Sequence, residues 1–80
     1  MTRPGPDPSV SDEDIIRVIV ANEKPVMGTT EIADRLGISQ QAMSRHLKRL
    51  ADEGALKTDK VGQARVWWPT DEGFAYLDLE

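Results

Sequence analysis

The chain contains no cysteine. Disulfides and thiolate metal sites are therefore excluded. His46 is the only histidine, so the usual zinc ligand sets cannot be assembled within one copy. Aromatic residues make up only 5% of the sequence. That argues against a surface built to stack the bases of a single strand. The glycines are scattered, so no glycine-rich loop can cradle a nucleotide phosphate. Nothing in the sequence arranges a base beside a serine, and an enzyme is not expected. The longest apolar run, Ile15 to Ala21, is too short to cross a bilayer and is broken by Arg17. The opening "TRPGPDPS" lacks the apolar centre of a signal peptide. The expectation is a cytoplasmic protein with no membrane partner and no cofactor.

What is present is a single small domain's worth of chain, 80 residues long. A domain of that size buries only about 60% of the surface its unfolded chain exposes, so its core is modest. The formal net charge is −4, but the charges are unevenly spread. Residues 39–68 are net +3, with six basic and three acidic side chains, and the remainder is net −7. The basic segment is the informative one, because a local excess of cations in an acidic chain marks a surface for an anionic partner.

The proline- and glycine-bearing stretch 1–10 reads as a disordered arm, and 11–80 as the folded domain. Ser11 followed by Asp12, Glu13 and Asp14 is a helix start. The serine oxygen can accept a backbone N–H, and the carboxylates face the positive end of the helix dipole. Capping accounts for that acid cluster better than acid–base chemistry does. The first helix should run to about Asn22 with Ile15, Val18 and Ile19 inward, and Pro25 should end it. "PVMG" reads as a short extended link. A second helix, "TTEIADRLG", is capped by Gly28 or Thr29 and buries Ile32, Ala33 and Leu36. Gly37 suits a left-handed C-cap, Ile38 plugs the corner, and Ser39 caps a third helix. Such a short link between helices is the mark of a helix-turn-helix.

At about 100° per residue, Met43, Leu47 and Leu50 fall on one side of the third helix. Gln41, Arg45, Lys48 and Asp52 fall on the other, flanked by Ser44 and Arg49. His46 lies beside the apolar side, where half-burial against the first helix suits it better than a DNA contact. Gly54 ends the helix. "ALKTDKVGQARVWWPT" then reads as a β-hairpin around Gly62-Gln63, closing at Pro69. Trp67 and Trp68 must point to opposite faces, and one of them should fill the core. Thr70 caps a last short helix with Asp71 and Glu72 in its first turn and Phe74, Ala75 and Leu77 as apolar members. The fold class is therefore mainly α with a small β-hairpin: a winged helix-turn-helix with a three-helix core, a two-stranded wing and a short C-terminal helix.

"EIADRLGISQQAMSRHLKRLADEGAL", a hairpin and "TDEG" resemble the DNA-binding domains of the MarR and ArsR groups of prokaryotic transcription regulators. The resemblance covers about residues 11–79. Ala33 matches a small residue kept where two helices cross, Gly37 the turn, and Ile38, Met43 and Leu47 the packing positions. Ser39, Gln40, Gln41, Ser44, Arg45 and Lys48 match positions that face DNA in the family. Thr70 and Gly73 match a "T-x-x-G" that follows the wing. Longer members carry further helices for dimerisation and effector binding, more than a chain of this length can hold. Metal-responsive relatives carry a sensor cysteine pair, which is missing here.

The residues support the same reading. Gln40 and Gln41 carry amides suited to the N6/N7 edge of adenine, and Arg45 can offer parallel donors to guanine O6 and N7. Ser44 is small enough for close approach and can bond to phosphate or base. Lys48 and Arg49, further along the helix, suit phosphates, which position without reading sequence. Lys60, Gln63 and Arg65 on the wing can reach the backbone or minor groove. The plainer alternatives are a solvated helix face and a lysine-guarded edge strand. The tight corner before the helix and the basic hairpin after it favour duplex DNA. The expected function is a small sequence-specific transcription regulator acting as a homodimer. The other reading is an adaptor whose basic helix face meets an acidic protein.

Overall fold

Ser11 opens the first helix, α1 (Asp12–Ala21), with a complete capping box. The Ser11 hydroxyl accepts the Asp14 amide at 3.0 Å, and the Asp14 carboxylate accepts the Ser11 amide at 3.4 Å. Two backbone donors that the helix cannot satisfy are thus paired. The computed structural model describes residues 10–77, so residues 1–9 of the expected amino-terminal arm and Leu79 lie outside it, while Val10 packs against the core. α1 ends at Ala21, one residue before the expected limit. The Asn22 amide group turns away to donate to the Lys24 and Val26 carbonyls at 3.2 and 3.1 Å, which shapes the turn into Pro25.

The inward stripe of α1 differs from the sequence expectation. Ile15, Ile16 and Ile19 are buried, while Val18 is only half-buried. The reason is that α1 packs against α2 (Thr29–Leu36) on one side and against α4 (Asp71–Leu77) and β3 (Ala64–Pro69) on another. A helix wedged between neighbours buries a broader arc than a single stripe.

"PVMG" is more than a link. Met27–Gly28 forms a short strand, β1, paired antiparallel with β3, and β2 (Leu56–Val61) pairs with the other edge of β3. The sheet therefore has three strands in the order β1-β3-β2, with the expected hairpin as two of them. The register sets Met27 opposite Trp67 and Thr58 opposite Trp67 from the other side. Trp67 is the buried tryptophan of the pair, and its indole N–H donates to the Thr29 hydroxyl at 2.8 Å. That bond ties the start of α2 to the centre of the sheet. Gly28 is the N-cap of α2 and supplies no side-chain bond, so the Trp67–Thr29 contact fixes this helix end from outside.

Gly37 ends α2 at φ 72°, ψ 30°, a left-handed conformation that costs other residues more. The Ile38 amide reaches back to the Ala33 carbonyl at 3.2 Å, and the Ile38 side chain packs against the core. The chain is thereby turned into α3 (Gln40–Asp52), whose Ser39 hydroxyl accepts the Ala42 amide at 3.1 Å. Met43, Leu47 and Leu50 of α3 meet Ile32 and Ala33 of α2 in one core. Leu36 is only partly buried, at the margin of that core.

After α3, the Ala55 amide bonds the Leu50 carbonyl and the Gly54 amide bonds the Ala51 carbonyl, at 2.9 and 3.0 Å, a second reversal of the Schellman type. The same turn receives the end of the wing. Thr70 caps α4, its hydroxyl accepting the Gly73 amide at 3.1 Å while donating to the Gly54 carbonyl. Gly73 is buried against the Ala55 carbonyl, and a Cβ there would fall well inside van der Waals contact with that oxygen. This is the physical content of the "T-x-x-G" after the wing. Gly73→Ala should therefore destabilise the domain by about 1–3 kcal/mol, because the obstacle is backbone and cannot rotate aside. Urea denaturation with an unchanged midpoint would contradict that packing.

Candidate nucleic-acid interface

The core side of α3 settles which residues it can show to a partner. With Met43, Leu47 and Leu50 buried, the exposed arc carries Gln40, Gln41, Arg45, Lys48 and Arg49, with Ser44 half-buried. Those residues divide into three rows. Gln40, Ser44 and Lys48, spaced four apart, look toward the wing. Gln41 and Arg45 point outward. Arg49 lies on the flank nearest α1.

The wing resolves its cations by strand alternation. Leu56, Thr58 and Lys60 share one face of β2, and Pro69, Trp67 and Arg65 are their respective partners on β3. That face starts in the core and runs outward to Lys60 and Arg65. Lys57 is opposite Trp68 on the other face. Lys60 and Arg65 thus share one face of the hairpin, and Lys57 lies on the other. Directly opposed like charges cost stability in an antiparallel pair, so the Lys60–Arg65 pairing is not there to hold the hairpin together. The Thr58 hydroxyl helps to steer Arg65, accepting from its guanidinium at 3.3 Å and donating to the Val66 carbonyl at 2.9 Å.

A groove of about 520 Å³ lies where these faces meet. Gln40, Ser44 and Lys48 form its α3 wall, and Gln63, Ala64 and Arg65 form its wing wall. Its floor comes from the start of α2, with Gly28, Thr29, Thr30 and Glu31. The structure therefore brings together Gln40, Ser44, Lys48, Gln63 and Arg65 from the expected set. Gln41 and Arg45 are exposed just outside the groove, on the outward face of α3. Ser39 is committed to its capping bond, with its hydroxyl hydrogen still free to donate. Lys60 stands beside Arg65 on the wing.

Sequence reasoning missed the floor. "TTEIADRLG" reads as scaffold, and nothing local shows that its first turn abuts the wing. Thr30 is exposed there and offers a hydroxyl, while Glu31 is an acceptor at the groove's edge.

Arg49 stands apart from the expected phosphate contacts. Its Nη2 donates to Asp12 Oδ1 at 2.7 Å and its Nη1 to Asp12 Oδ2 at 3.1 Å, a two-pronged pair across to the first turn of α1. Nη1 also lies 3.4 Å from Glu53 Oε2, and the other Glu53 oxygen accepts the Tyr76 hydroxyl at 3.0 Å. The Arg49 hydrogen bond holds the Asp12 carboxyl below its ordinary value, against an opposing effect of partial burial. The Glu53 bond pushes the Tyr76 phenol up. His46 is half-buried beside this group, its Nδ1 3.4 Å from the Arg49 guanidinium.

The model of the MarR family matches residues 13–65, which take in α1, the helix-turn-helix and the wing up to Arg65. The chain belongs to the MarR family. Solved MarR-family structures share its fold at low identity. A MarR family transcriptional regulator of Streptomyces coelicolor superposes with a TM-score of 0.75 at 13% identity, over 84% of this chain and 47% of that one. The PcaV transcriptional regulator of the same organism, solved with its natural ligand, gives 0.74 at 19% identity, over 89% and 51%. ZitR of Lactococcus lactis, solved in complex with DNA, gives 0.72 at 19% identity, over 98% and 57%. This MarR-family chain thus spans about half the length of the structures it resembles. Among curated proteins, none matches it by sequence. No helix among the described residues is long and apolar enough to cross a membrane, and no acidic, histidine or cysteine cluster among them could hold a metal ion.

Proposed function

We propose that this MarR-family chain binds double-stranded DNA in a sequence-specific manner and acts as a small transcription regulator rather than an enzyme. α3 enters the major groove, and the inner face of the wing follows the adjacent backbone or minor groove. The observation that carries this reading is the groove itself. Three elements converge on it, and its α3 and wing walls carry amides, a hydroxyl and cations but no carboxylate.

The roles follow from chemistry and position. Gln40 and Gln41 suit adenine, and Arg45, outermost on the helix, suits guanine. Lys48, Lys60 and Arg65 neutralise phosphates, with Ser39, Ser44 and Gln63 as shorter-range donors. The amino end of α3 adds backbone N–H groups. A homodimer would set half-sites about 34–36 Å apart on a palindromic operator. Val20 on α1 and Phe74 on α4 are 38% and 45% exposed and border one shallow apolar depression with Trp68 and Pro69, which favours this side of the domain for the dimer contact.

Arg45→Ala should cost about 1–3 kcal/mol of binding to the preferred duplex and relax the base preference at one position. Lys48→Ala should weaken binding to all sequences alike and reduce the salt slope by about 1. Fluorescence anisotropy on labelled duplexes at several salt concentrations measures both. Unchanged affinity in both variants would remove these contacts from the account. Complete indifference to salt with every duplex would favour the adaptor reading, in which the basic face meets an acidic protein.

A further inference from the structure

A cation that already has carboxylate partners is not equivalent to a free one. Arg49 sits one helical turn beyond Arg45, and the two border the same shallow depression on α3 together with Ala42 and His46. By position, Arg49 could swing to a phosphate on that flank. Its guanidinium instead meets both oxygens of Asp12 and one oxygen of Glu53. Asp12, Arg49 and Glu53 together carry a net charge of −1, so the Arg49 charge is more than offset by its own partners. The Arg49 and Asp12 side chains are 45% and 31% exposed, which makes the pair a weak stabiliser of the fold. Its larger effect is orientational. It fixes a long, otherwise mobile side chain toward α1, across 37 residues of sequence.

We infer that Asp12, on α1 and outside the groove, is an affinity-limiting residue: by withholding Arg49 it removes one phosphate contact from every complex with duplex DNA. The inference rests on the DNA-binding reading above. A phosphate contact adds affinity for every duplex alike, whereas Arg45 and the glutamines add it only for the right one. Masking one such contact lowers affinity for all duplexes by a similar factor and leaves the ratio between specific and non-specific binding unchanged. It does so without altering any base-reading group.

The test is a salt titration of four proteins: the parent, Asp12→Asn, Arg49→Ala and the double variant. Each is measured on a random-sequence duplex and on the best duplex from a selection. For the parent, binding to the random duplex should fall linearly with salt on logarithmic axes. Asp12→Asn should steepen that slope by about 0.9, the value of one added phosphate contact, and raise affinity for the selected and the random duplex by a similar factor. Arg49→Ala alone should leave the parent slope unchanged. Adding Arg49→Ala to Asp12→Asn should restore it. A parent slope that drops by about one contact in Arg49→Ala would show Arg49 already on a phosphate and overturn the inference. An unchanged slope in Asp12→Asn would overturn it as well. If Asp12→Asn does not fold, Arg49→Ala decides by the same criterion. A parent that binds no duplex removes the DNA reading, and the inference falls with it.

Discussion

Trp67→Ala is expected to lower the unfolding free energy of the domain by about 3–5 kcal/mol. Trp67 is 1% exposed and lies on the central strand of the sheet, with Met27 and Thr58 as its cross-strand partners. Its ring fills the space under the start of α2, and its indole N–H satisfies the Thr29 hydroxyl. Alanine would leave a cavity between α2 and the sheet and strip the side-chain bond from Trp67 to this helix end. A domain's total stability is on the order of 5–15 kcal/mol, so the loss is a large share. Trp68, on the opposite face and only half-buried, supplies the control. Trp68→Ala should cost distinctly less in parallel urea denaturations. The reverse order would mean that the hairpin register is shifted by one residue.

Leu47→Ala should cost about 2–5 kcal/mol by the same measurement. Leu47 is fully buried midway along α3, between Met43 and Leu50. It lies behind the row that looks toward the wing, so its loss affects the site as well as the fold. With Leu47 truncated, α3 can rock against α2, and Gln40, Ser44 and Lys48 no longer hold a fixed distance from Arg65. Affinity for the preferred duplex should therefore fall further than affinity for random duplex, even where the variant is fully folded. A neutral Leu47→Ala would mean that α3 presents a different face to the core.

The helix-turn-helix was legible because its signals are local. Gly37, Ile38 and Ser39 are consecutive, and each has a conformational or capping role that residue type alone reveals. Met43, Leu47 and Leu50 declare their face by spacing. The parts that were not legible depend on partners far away in sequence. Met27–Gly28 is too short to show alternation, and it becomes a strand only because Val66 and Trp67 lie beside it. The choice between Trp67 and Trp68 needs the hairpin register, and the burial of Ile16 needs the neighbours that wedge α1.

The same division runs through the site. The cations of α3 and the wing could be read from the chain, whereas the floor of the groove at Thr30 and Glu31 could not. Arg49 is the clearest case. On a helical wheel it sits near Arg45 and reads as one more phosphate contact. Only the packing of α1 against the rest of the domain brings Asp12 within pairing distance of it.

The central claim is that the polar, cationic arc of α3 and the inner face of the wing are what the protein shows to duplex DNA. Backbone amide NMR of the full chain, titrated with a selected duplex, tests it most directly. The account predicts the largest shifts at Gln40, Gln41, Ser44, Arg45 and Lys48, at Thr30 and at Gln63 and Arg65, with Val20 and Phe74 left unmoved by the duplex at a fixed oligomeric state. Shifts confined to the α1–α4 side, with the α3 arc and the wing tip unperturbed at saturating duplex, would contradict it.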